Sequence, residues 1–113
     1  MAAAAAAAGA APVFLPCGPE TGFLPALDEI DQAVLKRTAA FYLCSPSNPE
    51  GAVASADYFA RAIALARESD FLLFADECYS EIYSDEQTPP AGLLQAAAAM
   101  GNDSYSNCIV FHS

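Results

Sequence analysis

The chain is 113 residues long and 55% apolar, with fourteen acids against four bases, Lys36, Arg37, Arg61 and Arg67. That length holds at most one modest domain, and the apolar content is too high for a disordered chain. A net charge of −10 argues against nucleic acid and anionic membrane surfaces as partners, and leaves few groups to hold a phosphate or a carboxylate.

The alanine run after Met1 lacks the basic start of a signal peptide. It reads as helix, since alanine is the best helix former, and Gly9 stops it. Residues 11–15 read as a short strand. Pro16, Gly18, Pro19, Gly22 and Pro25 then break the chain into a loop. Asp28 is placed to cap a helix in which Leu27, Ile30 and Val34 share one face. Lys36 and Arg37 close that helix with the charge its dipole favours. Residues 39–44 form the next apolar run, and Ser45-Pro46-Ser47-Asn48-Pro49-Glu50-Gly51 after it is turn chemistry throughout. Ser55 caps a second helix reaching Ser69, with Phe59, Ala62, Ile63 and Ala66 as its apolar stripe and Asp57 paired with Arg61 at i, i+4.

Phe71-Leu72-Leu73-Phe74-Ala75 runs straight into Asp76 and Glu77, and Tyr79 follows three positions after Asp76. A short apolar run without polar alternation fits a strand buried on both faces, as in a parallel sheet. Residues 78–85 read as a turn or a short irregular helix. Residues 91–100 read as helix ended by Gly101, and Cys108-Ile109-Val110-Phe111 as a further buried strand leading to His112 and Ser113. The order β-loop-α-β-α-β-α-β predicts an α/β fold with a largely parallel sheet. Ligands on such sheets gather beyond the carboxyl ends of the strands. Asn48, Asp76, Tyr79 and the His112-Ser113 pair therefore belong to one edge.

Cys17, Cys44, Cys78 and Cys108 form no C-x-x-C pair, and His112 is the only histidine, so zinc-type spacing is absent. The cysteines read as free thiols of a reducing compartment, with Cys44 and Cys108 serving as small hydrophobes in buried strands. No run of strongly apolar residues is long enough to span a membrane. Each motif also has a plain meaning. Asn-Pro-x-Gly alone is an ordinary turn, Tyr79 suits an interfacial tyrosine, and His112 suits a hydrogen-bonding role. Glu77, Glu81, Asp85 and Glu86 read as a solvated acidic face. Asp76-Glu77 after an apolar strand also fits a magnesium-positioning acid pair of the Walker B kind, but no G-x-x-x-x-G-K-[ST] loop accompanies it.

In combination, the motifs resemble the fold-type I, pyridoxal-phosphate-dependent aminotransferases. Residues 45–51 are a form of that family's Asn-Pro-x-Gly turn. Ala75-Asp76-Glu77-Cys78-Tyr79-Ser80-Glu81-Ile82-Tyr83 is similar to its Asp-Glu-x-Tyr segment. Phe111-His112-Ser113 looks like the lead-in to its lysine motif. The wording around Asn48 and Asp76 is similar to that of succinyldiaminopimelate aminotransferases of the lysine pathway. The resemblance implies a three-layer sandwich on a mostly parallel sheet, the aspartate-aminotransferase-like large domain. It implies pyridoxal 5'-phosphate as cofactor, amino-acid and 2-oxo-acid substrates, a homodimer and a cytoplasmic location, with no metal. It places Asp76 against the pyridine nitrogen, Asn48 and Tyr79 on the phenolic oxygen, and Ser113 on the phosphate. It also places the lysine that forms the Schiff base just beyond Ser113, so no catalytic residue is assigned within the chain. Residues 1–113 are then a partial cofactor-binding large domain, truncated at both ends and inactive alone. Carbon–sulfur lyase or decarboxylase chemistry shares these cofactor contacts. A non-catalytic homologue or a nucleotide-binding module is the alternative class.

Overall fold

The computed structural model describes residues 2–112. Three strands, β1 (Ala40–Cys44), β2 (Leu72–Asp76) and β3 (Cys108–Phe111), form one sheet in the order β1-β2-β3. Both pairings are parallel, and Cys44, Asp76 and Phe111 lie side by side at the carboxyl ends. The helices are α1 (Ala2–Ala7), α2 (Gln32–Arg37), α3 (Ala56–Ser69) and α4 (Leu93–Ala99). Helix α3 carries the chain from β1 to β2, and α4 from β2 to β3, as parallel pairing requires.

Local chemistry sets the boundaries of α3. The Ser55 hydroxyl accepts from the Tyr58 amide at 3.0 Å, and Asp70 ends the helix in the left-handed region at φ 57°. Aspartate tolerates that conformation better than most residues. Phe59, Ala62, Ile63 and Ala66 are all fully buried, so the stripe read at helical spacing is the face that meets the sheet. Leu73 and Ala75 of β2 and Leu93, Ala96 and Ala97 of α4 complete the centre of this core.

Among the described residues, the helices cover one face of the sheet. Along β2, Leu73 and Ala75 are 0% exposed, whereas Leu72 is 41% exposed. Phe111 and Ile109 of β3 are also exposed, with Phe111 packed edge-on against Phe74 at 5.4 Å. Side chains alternate along a strand, and α3 and α4 both pack on the Leu73 side. Within residues 2–112 the Leu73 side of β2 is thus buried and the Leu72 side is open. Cys44, on the open face, and Cys108, packed against the core from the Leu73 side, are both half-buried rather than buried, and all four cysteines are free.

Four expectations change. Residues 11–15 form no strand: Val13 and Phe14 are 55% and 79% exposed, and no described strand lies beside them to supply a ladder. Asp28 does not cap the following helix. It sits in a 3-10 turn, Leu27–Glu29, and Asp31 caps α2 by accepting from the Ala33 amide at 2.7 Å. Leu35 rather than Val34 is the buried residue of α2. Arg61 pairs with Asp28 at 2.7 Å instead of with Asp57. The loop before α2 lies against α3 and brings Asp28 within reach, and Tyr58 fastens the same loop by donating to the Pro25 carbonyl at 2.7 Å.

Substitution on β2 separates the two faces. Leu73→Ala should lower the unfolding free energy by about 3 kcal/mol, and Leu72→Ala by less than about 1 kcal/mol, read by urea denaturation. Equal losses would contradict a one-sided core.

Candidate functional site

The strand ends are tied together beyond the strands themselves. The Ser45 amide donates to the Asp76 carbonyl at 3.1 Å, and the Glu77 amide to the Phe111 carbonyl at 2.9 Å. Three segments therefore leave the sheet from one edge.

The first segment is the turn after β1. Ser45 is 1% exposed, and its hydroxyl accepts from the Ala54 amide at 2.8 Å. The Ser47 hydroxyl accepts from the Ala52 amide at 3.0 Å, and the Gly51 amide donates to the Ser47 carbonyl at 2.9 Å. Gly51 has φ +70°, a conformation open to glycine at little cost. The Ser45-Pro46 and Asn48-Pro49 peptides are cis. The hydrogen bonds of Ser45 and Ser47 clamp the base of the turn and leave Asn48 projecting at its tip.

The second segment follows β2. Asp76 Oδ1 accepts from the Cys78 amide at 3.2 Å, and the Ser80 amide donates to the Glu77 carbonyl at 3.0 Å. This turn delivers Tyr79, whose hydroxyl accepts from Asn48 Nδ2 at 3.2 Å. Asn48 and Tyr79, 31 residues apart, are thus brought into direct contact. An open groove of about 1000 Å³ lies beside them, bordered by Val53, Tyr83 and Pro90. From the third segment, His112 Nε2 lies 3.2 Å from the Ser80 hydroxyl. Ser113 lies outside the described residues.

Asp76 has a partner that the motifs did not single out. Tyr42, on β1, donates its hydroxyl to Asp76 Oδ2. Hydrogen bonds from Cys78 and then from Tyr42 hold the Asp76 carboxyl below the usual aspartate range, against a smaller opposing effect of burial. Burial, and then the bond to Asp76, push the Tyr42 hydroxyl above the usual tyrosine range. Burial and the nearby Asp76 charge push up the Cys44 thiol, so this cysteine is not primed as a nucleophile.

Glu77 is not part of a solvated acidic face. Its carboxylate accepts from the Leu93 amide at 2.7 Å, one of the donors that the first turn of α4 leaves free. That employment also removes it from a Walker-type pair, and among the described residues no group of three or more metal-capable side chains gathers. Tyr42, Ser45, Ser47 and Glu77 are the contributors missed from sequence. The serines of Ser45-Pro46-Ser47 read there only as turn-forming residues, and Glu77 only as part of the Asp-Glu pair and of a solvated acidic face. The arrangement offers an ionised carboxylate, suited to a protonated nitrogen, and an amide–phenol pair, suited to an oxyanion.

A parallel sheet with its polar groups at one edge is the architecture of the aspartate-aminotransferase-like proteins. The aminotransferase AspB of Helicobacter pylori superposes with a TM-score of 0.88 at 37% identity, covering 98% of this chain and 28% of that one. The LL-diaminopimelate aminotransferase of Desulforudis audaxviator is 41% identical over 91 residues, which is 80% of this chain and 23% of that protein. Transaminase BacF of Bacillus subtilis is 38% identical over 94 residues, again 23% of its length. The chain thus spans about a quarter of the relatives it matches. Residues 1–113 match the aminotransferase class I and II family along their whole length, and the chain belongs to that family. Its members depend on pyridoxal phosphate.

Glu77→Ala should cost about 1 kcal/mol of stability, the usual worth of a helix-capping acceptor. Glu81→Ala, at an exposed position, should change stability by no more than about 0.5 kcal/mol. Thermal or urea unfolding of the two variants checks the assignment, and equal effects would return Glu77 to the solvated face.

Proposed function

We propose that the protein carrying this chain is a pyridoxal-phosphate-dependent aminotransferase, moving an amino group between an amino acid and a 2-oxo acid. Residues 1–113 are then part of its cofactor-binding large domain. The observation that carries this is the contact between Asn48 and Tyr79 at the edge where Asp76 is held ionised. The donor set suits a pyridine ring with a protonated nitrogen and an ionised hydroxyl. One end of such a ring needs an anionic acceptor, and the other needs neutral donors.

When bound, pyridoxal phosphate supplies an electron sink for the pair left on the substrate α-carbon after its proton departs. The residues of this chain hold and tune. Asp76 keeps its negative charge, which favours the protonated form of a ring nitrogen placed beside it. Tyr79 and Asn48 donate to the ring oxygen and stabilise its anionic form. Holding one another at 3.2 Å, they lose little freedom when they do so. Ser113 contributes its hydroxyl to the phosphate. The buried Ser45 hydroxyl and Gly51 act indirectly, by fixing the turn that presents Asn48.

The amino substrate we favour is a diaminopimelate derivative, which places the enzyme in lysine biosynthesis. The names of relatives above 30% identity support the free LL-diaminopimelate skeleton. The motif wording around Asn48 and Asp76 supports the N-succinyl form. The four free thiols support a reducing, cytoplasmic setting, and the family resemblance supports a homodimer.

Transamination by the whole protein, followed with each diaminopimelate form against a panel of 2-oxo acids, tests the proposal. Asp76→Asn should lower kcat roughly 100-fold or more, the scale of losing a preorganised charge at a reacting centre. Asn48→Ala should lower it about tenfold. Undiminished activity in Asp76→Asn would sink the assignment. Turnover of other amino acids with neither diaminopimelate form accepted would remove the substrate alone.

A further inference from the structure

We propose that Tyr42 is a positioning residue for Asp76, fixing the plane of its carboxylate and holding it as a charged acceptor at the sheet edge. In the β1–β2 ladder Tyr42 lies opposite Phe74, and Cys44 opposite Asp76. Residues two apart on a strand share a face, so Tyr42, Cys44, Phe74 and Asp76 all stand on the face that α3 and α4 leave open. Tyr42 is thus the diagonal neighbour of Asp76, at a separation that a long aromatic side chain can bridge.

The bonds are complementary. Tyr42 donates to Oδ2, and the Cys78 amide donates to Oδ1 at 3.2 Å. Two donors on different oxygens fix the carboxylate against rotation about its last bond, which a single donor would not do. An ionised carboxylate has about four acceptor positions, so each oxygen keeps room for an incoming N–H. Both bonds favour the charged form. Among the described residues, the other neighbours supply no such donor to Oδ2. On the β3 side the residue in register is Phe111, which packs edge-on against Phe74. The titratable groups acting on Asp76 are Tyr42 and Cys44 from β1 and Cys78 from the following turn, with no base among them. Tyr42 therefore shares with Cys78 the compensation of the carboxylate before any ligand arrives, and it is the partner that reaches Oδ2 from the neighbouring strand. A phenylalanine at this position would fill the same space and lose only the hydroxyl.

This inference rests on Asp76 as the partner of a ring nitrogen, and its test is made without the cofactor. In protein labelled with 13C at the aspartate carboxyl carbon, the Asp76 signal, identified by its loss in Asp76→Asn, is followed against pH. Tyr42→Phe should titrate at higher pH than the wild type, because the charged form has lost a donor. Coincident midpoints would overturn the proposal. If Tyr42→Phe loses its fold, the converse measurement decides. With 13Cζ-tyrosine label, Asp76→Asn should bring the Tyr42 hydroxyl down toward the ordinary tyrosine range, and an unmoved titration would overturn the pairing. Binding of pyridoxal phosphate is measured separately. If Asp76→Asn binds it as tightly as the wild type while Tyr42→Phe still moves the carboxyl titration, the cofactor assignment fails and the Tyr42–Asp76 pair stands.

Discussion

The structure depends on the double pairing of β2. It is hydrogen-bonded to β1 on one side and β3 on the other, and the ladder runs on past it through the Ser45 and Glu77 amides. Register is a strong constraint in a strand with one buried face, because a slip of one residue turns every side chain over. Such a slip would lift Leu73 and Ala75 out of the helix-covered core and drive Asp76 into it, away from Tyr42. The burial that stabilises the sheet and the placement of the carboxylate are thus one constraint.

The two faces of the sheet do different work. Beneath the Leu73 side lies a core of Phe59, Ile63, Leu93 and small alanines, where close packing of helix on strand fixes the backbone. The other side holds Tyr42, Cys44, Phe74, Asp76 and Phe111, a surface that is half apolar and half hydrogen-bonded. The loops extend the same division. Ser45 is buried and its hydroxyl serves the backbone, so that exposed Asn48 is presented to Tyr79. Glu77 turns from the edge to α4, so the acid beside Asp76 serves the fold and leaves the edge to Asp76. In a chain of net charge −10, this employment of the two adjacent acids matters: one is compensated by a phenol, the other by a helix terminus.

Much of this was legible in the residues. Helical spacing located the buried stripe of α3, and Ser55 marked its start. The three strands and their parallel order followed from apolar runs alternating with helical patterns. Asn48, Asp76 and Tyr79 were placed on one edge because strand ends share an edge in a parallel sheet. What the sequence could not carry was pairing across distance. Asp57 lay four residues from Arg61, and Asp28 took its place only because a loop folds back on α3. Residues 11–15 have strand-like composition but no described neighbour to bond. Tyr42 looked like one more aromatic in a strand, since its role depends on register with a strand thirty residues away. Ser113 was expected at the same edge and lies outside the described residues.

As the proposed partner of the ring nitrogen, Asp76 would govern the protonation of a bound pyridine ring. The direct measurement is the nitrogen chemical shift of 15N-labelled pyridoxal phosphate in the whole protein near neutral pH. A shift characteristic of the protonated nitrogen in the wild type, moving to the unprotonated value in Asp76→Asn, is the predicted result. An unprotonated ring in the wild type, or a shift that ignores the substitution, would contradict it.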